Sequence, residues 1–93
     1  MDDSAPYQIA ITGGARRDLS ERLPEAVAAA AANLILGDLA ADPHRLGKRL
    51  RPPLQDQHSA RRGTFRILYE IDDDQRVVRI LAVKPRKDAY TSH

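Results

Sequence analysis

The sequence predicts a small α+β domain in which two N-terminal helices cover one face of an antiparallel sheet. Three observations carry this. Residues 65–71 alternate with period two, Phe65, Ile67, Tyr69 and Ile71 on one face and Arg66, Leu68 and Glu70 on the other. Residues 24–41 instead place Val27, Ala31, Leu34, Ile35 and Leu39 on one stripe at helical spacing. Proline, glycine and aspartate separate these patterns. With 93 residues the chain forms one domain, 1–93, with room for a modest core.

In chain order, residues 7–11 (Tyr-Gln-Ile-Ala-Ile) alternate and read as a first strand, which Thr12, Gly13 and Gly14 end. A short helix over 15–23 puts Leu19 and Leu23 one turn apart. Pro24 suits the first position of a second helix, where its missing N–H costs nothing, and Glu25 favours the positive end of the dipole. Asp42 and Pro43 stop that helix near Ala41. Residues 43–57 hold Pro43, Gly47, Pro52 and Pro53 and read as an irregular basic connection, with a short strand near Leu54. A strand follows from His58. Residues 72–75 make a turn, and residues 76–84 form a strand apolar on both faces, which marks a central position. Pro85 ends it. The predicted order is β-α-α-β-β-β.

Composition excludes several chemistries. There is no cysteine, hence no disulfide framework and no thiolate zinc site or nucleophile. His44, His58 and His93 lack the spacing of a metal site, so none is expected. Gly13 and Gly14 lack the remainder of a phosphate loop, and no G-x-S-x-G occurs. Asp2 and Asp3 open the chain without an apolar segment behind them, and the apolar run 26–36 is too short to span a bilayer. A cytoplasmic protein with no membrane partner is expected.

Charge is distributed unevenly. The formal net charge of +2 combines −4 over residues 1–42, +6 over 43–69 and none over the rest. A basic block of this size suits a phosphate-bearing partner, though a solvated face has the same composition. Arg66 lies opposite the aromatic face of its strand, Arg61 near the start of the hairpin, and Arg86 just past the last strand, with Tyr90 four residues on. Pairing about the 72–75 turn brings residue 66 near residues 80–83 and places three guanidiniums and a phenol at one edge of the sheet. Such a group suits metal-free cleavage of RNA by its own 2′-hydroxyl. Arginines stabilise the phosphorane, and a tyrosine among cations has its pKa lowered toward proton transfer. Each residue also has a plainer reading: Arg66 paired with Glu70, Arg86 at a strand end, Tyr90 packed as a lid.

Four segments in register resemble RelE-type toxins of the RelE/ParE toxin–antitoxin superfamily. Residues 59–72 (S-A-R-R-G-T-F-R-I-L-Y-E-I-D) resemble its core pattern, and residues 83–90 (V-K-P-R-K-D-A-Y) its closing V-x-H-R-x-D-x-Y. Residues 15–19 (A-R-R-D-L) and 42–50 (D-P-H-R-L-G-K-R-L) match its A-x-R-D-L and D-P-x-R-x-G-K-x-L segments. The resemblance implies a β-α-α-β-β-β fold and a toxin that cuts mRNA, typically on the ribosome, without cofactor or metal. It also implies a cognate antitoxin through which oligomers form. Carried over by residue, Arg61, Arg66, Arg86 and Tyr90 would be the catalytic group. Lys48, Arg49, Arg51, His58 and Arg62 would hold the backbone of mRNA or ribosomal RNA. Two departures stand out: Pro85 replaces a common histidine, and Gln57 and Ser59 replace lysines of some members. ParE-type toxins, which act on DNA gyrase, share the superfamily. Retention of Arg61, Arg66, Arg86 and Tyr90 together favours RNA cleavage over gyrase inhibition and over an inactive antitoxin-binding member.

Overall fold

The computed structural model describes residues 5–85. Strand β1 (Gln8–Ile11) is followed by helix α1 (Gly13–Arg17), which runs on into a π-helical turn over Asp18–Arg22. Helix α2 (Glu25–Leu34) likewise continues through a π-helical turn, Ile35–Leu39. Then come a single helical turn α3 (Pro43–Leu46) and strands β2 (Lys48–Arg49), β3 (His58–Arg62), β4 (Phe65–Asp72) and β5 (Val77–Pro85). Among the described residues the strands form one sheet in the order β1-β5-β4-β3-β2. The α+β class and the order of the long elements are as the sequence predicts. The sheet is antiparallel from β2 to β5, and β1 joins β5 in parallel at its far edge.

The helices bury one face of that sheet. Ala15, Ala31, Leu34, Ile35 and Leu39 pack on Ala60, Phe65, Ile67, Tyr69, Val78, Ile80 and Val83. Fully burying each of the leucine, isoleucine, valine and phenylalanine side chains contributes about 1.5–3 kcal/mol. Pro24 precedes the helix as its N-cap, one residue earlier than the sequence suggests. Thr12 caps α1, its hydroxyl accepting from Ala15 N–H (3.2 Å) and donating to the Ile80 carbonyl (2.9 Å). The glycines after it therefore open a helix rather than a loop.

Three details of the strands matter for the site. Gly63 has φ 61° and permits the tight link from Arg62 to Phe65, which register directly opposite each other. Register slips by one residue between Leu68 and Tyr69, so Leu81 is an extra residue in β5. Val78 and Ile80 face the core before the bulge and Val83 after it, which is why β5 reads as apolar on both faces. Residues 43–57 are more ordered than expected. Asp42 and Pro43 start α3, Lys48 and Arg49 pair with Ser59 and His58, and Leu54 lies in turns rather than a strand.

Candidate nucleic-acid interface

The face of β3 and β4 away from the helices holds the cations. Alternation puts His58 and Ala60 of β3 in the core, so Ser59 and Arg61 point outward. Phe65, Ile67 and Tyr69 are likewise buried, leaving Arg66 outside. Arg61 and Arg66 are direct cross-strand partners. Two like charges opposed in this way cost stability, and among the described residues neither makes an ion pair. Glu70 pairs instead with Arg79 (3.0 Å), so the plainer reading of Arg66 is set aside. The Arg66 Nε is buried and has no hydrogen-bond partner among the described residues. β5 extends the row: Lys84 registers opposite Arg66, and its ammonium lies 3.7 Å from Asp18 Oδ1.

Beside this row lies a cleft of about 660 Å³ lined by Leu46, Gly47, Lys48, Arg49, Leu50, Arg51, Ser59, Arg61 and Arg66. Among the described residues five cations line it, with no acidic side chain. Among the described residues none of the five makes an ion pair. The site thus joins Arg61 and Arg66 with Lys48, Arg49 and Arg51, as the sequence pattern groups them. Arg86 and Tyr90 lie outside the described residues; the last described residue, Pro85, registers with Phe65, beside Arg66.

Two of the expected RNA-contacting residues, Arg62 and His58, lie away from this cleft. Arg62 has the parity of Ala60, so it turns to the helix side, 4.0 Å from Asp38 and in a hollow with Asn33, Leu34 and Phe65. His58 is 7% exposed, stacked on Tyr69 at 5.4 Å and edge-on to His44 at 6.0 Å. Burial, then the neighbouring His44 and Arg49, push its pKa below the usual histidine range, and its Nδ1 has no partner among the described residues. Neither residue lines the cleft.

The sequence also hid the residues that hold the site together. Asp18 of the A-R-R-D-L segment is 1% exposed. It accepts from Val83 N–H (2.9 Å) on the edge of β5 beyond the reach of β1, and it pairs with Arg22 (2.9 Å) and Lys84. Asp73, in the predicted 72–75 turn, accepts from the Tyr7 hydroxyl (2.5 Å) and lies 2.9 Å from His44 Nε2. Those bonds hold its carboxyl below the usual carboxylate range and raise the pKa of Tyr7. The Tyr7 ring stacks under Arg76, whose guanidinium carbon is 4.2 Å from the ring centre. The β4–β5 turn is thus tied to the N-terminal strand and to α3. Among the described residues no cluster of histidine and carboxylate side chains would hold a metal ion, and no helix is long and apolar enough to cross a membrane.

A helix-backed sheet with Arg61 and Arg66 opposed on its open face, beside a cleft lined by Lys48, Arg49 and Arg51, defines a small α+β protein with a cationic surface. The family described as ParE toxin of type II toxin–antitoxin system, parDE, matches residues 8–90. Two Mycobacterium tuberculosis proteins are similar along nearly their whole length. Toxin RelE is 49% identical over 97% of this chain and 92% of its own, and Toxin RelG is 48% identical over 91% and 97%. The toxin–antitoxin complex RelBE2 from the same organism superposes with a TM-score of 0.84 at 48% identity, covering 88% of this chain and 100% of that one. A mutant of Escherichia coli toxin RelE in the free state shares the fold at TM-score 0.72 and 15% identity, covering 91% of this chain and 88% of that one. The chain belongs to the RelE/ParE superfamily, as a RelE-type toxin of a type II toxin–antitoxin system.

Proposed function

We propose that the protein is an mRNA endoribonuclease that acts without metal, on mRNA engaged by the ribosome, in the cytoplasm. The observation that carries this reading is the opposed pair Arg61 and Arg66 on the floor of a cleft that, among the described residues, has no carboxylate in its lining and leaves the buried Arg66 Nε without a partner. A fold keeps so unfavourable an arrangement where an anion offsets it. In the proposed reaction the 2′-oxygen bonds to phosphorus while the bond from phosphorus to the 5′-oxygen breaks. A base takes the 2′ proton and an acid delivers one to the leaving 5′-oxygen. The products are a 2′,3′-cyclic phosphate and a 5′-hydroxyl. Arg61 and Arg66 hold the non-bridging oxygens through bidentate, charge-assisted bonds, and their fixed charge stabilises the phosphorane. Arg86 serves near the leaving group, and Tyr90 is the base or the group that orients it. Lys48, Arg49 and Arg51 steer the backbone on either side.

A cognate antitoxin is the natural partner, since the similar RelBE2 structure is a toxin–antitoxin complex. Expression of the chain alone should arrest growth and translation, and co-expression of the antitoxin should relieve it. Growth that continues while folded protein accumulates would contradict an active toxin. A second reading, inhibition of DNA gyrase, is favoured by the ParE description of the matching family. A translation extract programmed with defined mRNA, beside a gyrase supercoiling assay, separates the two. RNA cleavage with untouched supercoiling supports the proposal, and the reverse result replaces it.

A further inference from the structure

Tyr69 is completely buried, yet it carries a hydroxyl where phenylalanine would fill the core equally well. That hydroxyl donates to the Pro43 carbonyl (2.7 Å), and the Gly47 backbone packs against the same oxygen. One oxygen therefore contacts both ends of α3. Gly47 is pressed so closely onto it that a Cβ there would collide with the Tyr69 hydroxyl and lie 2.7 Å from the Ser59 carbonyl oxygen. Burial pushes the phenol up to about 12, so it stays a neutral hydrogen-bonding group at every physiological pH.

Immediately after Gly47 the chain forms the basic rim of the cleft. Lys48 and Arg49 are held by only two ladder pairs, with Ser59 and His58, and by the bond from Leu50 N–H to the Gln57 carbonyl (2.9 Å). A two-residue edge strand has little hold of its own. Arg61 and Arg66, by contrast, stand on β3 and β4, whose hairpin runs through the centre of the sheet. The rim and the floor of the cleft thus rest on elements of unequal rigidity, joined at Tyr69.

We propose that the Tyr69 hydroxyl, acting through Pro43 and Gly47, is the positioning group that fixes the Lys48–Arg49 rim against the Arg61–Arg66 floor and so sets the affinity of the cleft for RNA. This rests on the reading of the cleft as an RNA site. Tyr69 touches no substrate; its effect passes through two backbone groups.

The test measures binding of an uncleavable 2′-O-methyl oligoribonucleotide by fluorescence anisotropy across a salt series, with amide exchange at Lys48, Arg49 and Leu50 in the free protein. Tyr69→Phe should weaken binding roughly ten- to a hundredfold at about 0.1 M salt, as the loss of two phosphate contacts does. It should also flatten the salt slope by about 1.4, the loss of two phosphate contacts on a single strand, and speed exchange at all three amides. Val78→Ala, a buried change beside β1, is the control for lost stability and should leave affinity and slope unchanged. Should Tyr69→Phe fail to fold, Gly47→Ala carries the same expectation. If the wild type binds and the variant binds with equal affinity, slope and exchange, Tyr69 is only a packing residue. If the wild type shows no salt-dependent binding, the RNA reading of the cleft fails and the inference falls with it.

Discussion

Replacing Arg66 by methionine should make the protein more stable and nearly inactive. The substitution keeps an unbranched stem for the partly buried position while removing the guanidinium. In the native fold that group faces Arg61 directly across the β3–β4 ladder, and like charges so placed cost about 0.2–1 kcal/mol. Its Nε is buried without a partner, a defect worth about 1–3 kcal/mol when desolvation is complete. Arg66 is only partly buried, so the low end of both ranges applies, and the net gain is about 1 kcal/mol. In a domain of this size that raises Tm by about 4–8 °C. Loss of one preorganised charge at a phosphorane should cost on the order of 10²–10³ in cleavage rate. Thermal unfolding by circular dichroism and single-turnover RNA cleavage read the two effects on the same preparation. A variant of lower Tm that still cleaves would refute the reasoning, because Arg66 would then be structural.

Three further outcomes concern other parts of the fold. Changing Lys48, Arg49 and Arg51 together to alanine should reduce the salt slope of RNA binding by about 2, at about 0.7 per phosphate contact, with little change in Tm; an unchanged slope would move the contact surface elsewhere. Asp18→Ala leaves the Val83 N–H without an acceptor and should cost about 1–3 kcal/mol in denaturant unfolding, whereas Asp18→Asn, which keeps an acceptor, should cost less; equal losses would show that the charge pairs with Arg22 and Lys84 dominate. Because burial lowers the His58 pKa, the unfolded chain binds more protons below about pH 6.5, so stability should fall as pH drops from there toward the folded pKa. The groups facing His58 are His44, Arg49 and Asp73, and Asp73, with its own lowered pKa, adds a loss in the same direction only below about pH 3.8. His58→Phe should flatten the upper part of this curve, and an unchanged curve would assign it to another group.

Much of the site was readable because it depends on local parity. The alternation of 65–71 and the Arg61–Gly63 turn are short-range features, so the outward position of Arg66 and its nearness to Arg61 follow from the sequence pattern. Parity also explains which expected residues lie apart from the cleft. His58 and Arg62 share the parity of Ala60, so the same strand that exposes Arg61 turns them toward the helices. Long-range pairing left no local trace. Nothing in residues 8–11 says that they join Val77–Ile80 in parallel. The bulge at Leu81 and a turn reaching Arg76, which has φ 54°, carry the partner of Arg66 out to Lys84. Asp18 and Asp73 look like solvated acids until the edge of β5 and the Tyr7 hydroxyl are brought to them. Tyr69 reads as one more apolar member of its face, although its hydroxyl orders the segment carrying Lys48 and Arg49.

The central claim is that this cleft cuts RNA through the 2′-hydroxyl, and end-group mapping of RNA cleaved on programmed ribosomes in a single turnover tests it most directly. The wild-type protein should leave a 2′,3′-cyclic phosphate and a 5′-hydroxyl in the presence of chelator. Tyr90→Phe, which removes one hydroxyl from the proposed base, should lower the rate severely with the same ends, and Arg66→Ala should nearly abolish cutting. Fragments ending in a 5′-phosphate, cleavage that stops when metal is chelated, or an intact message under conditions where the toxin arrests growth would contradict the claim.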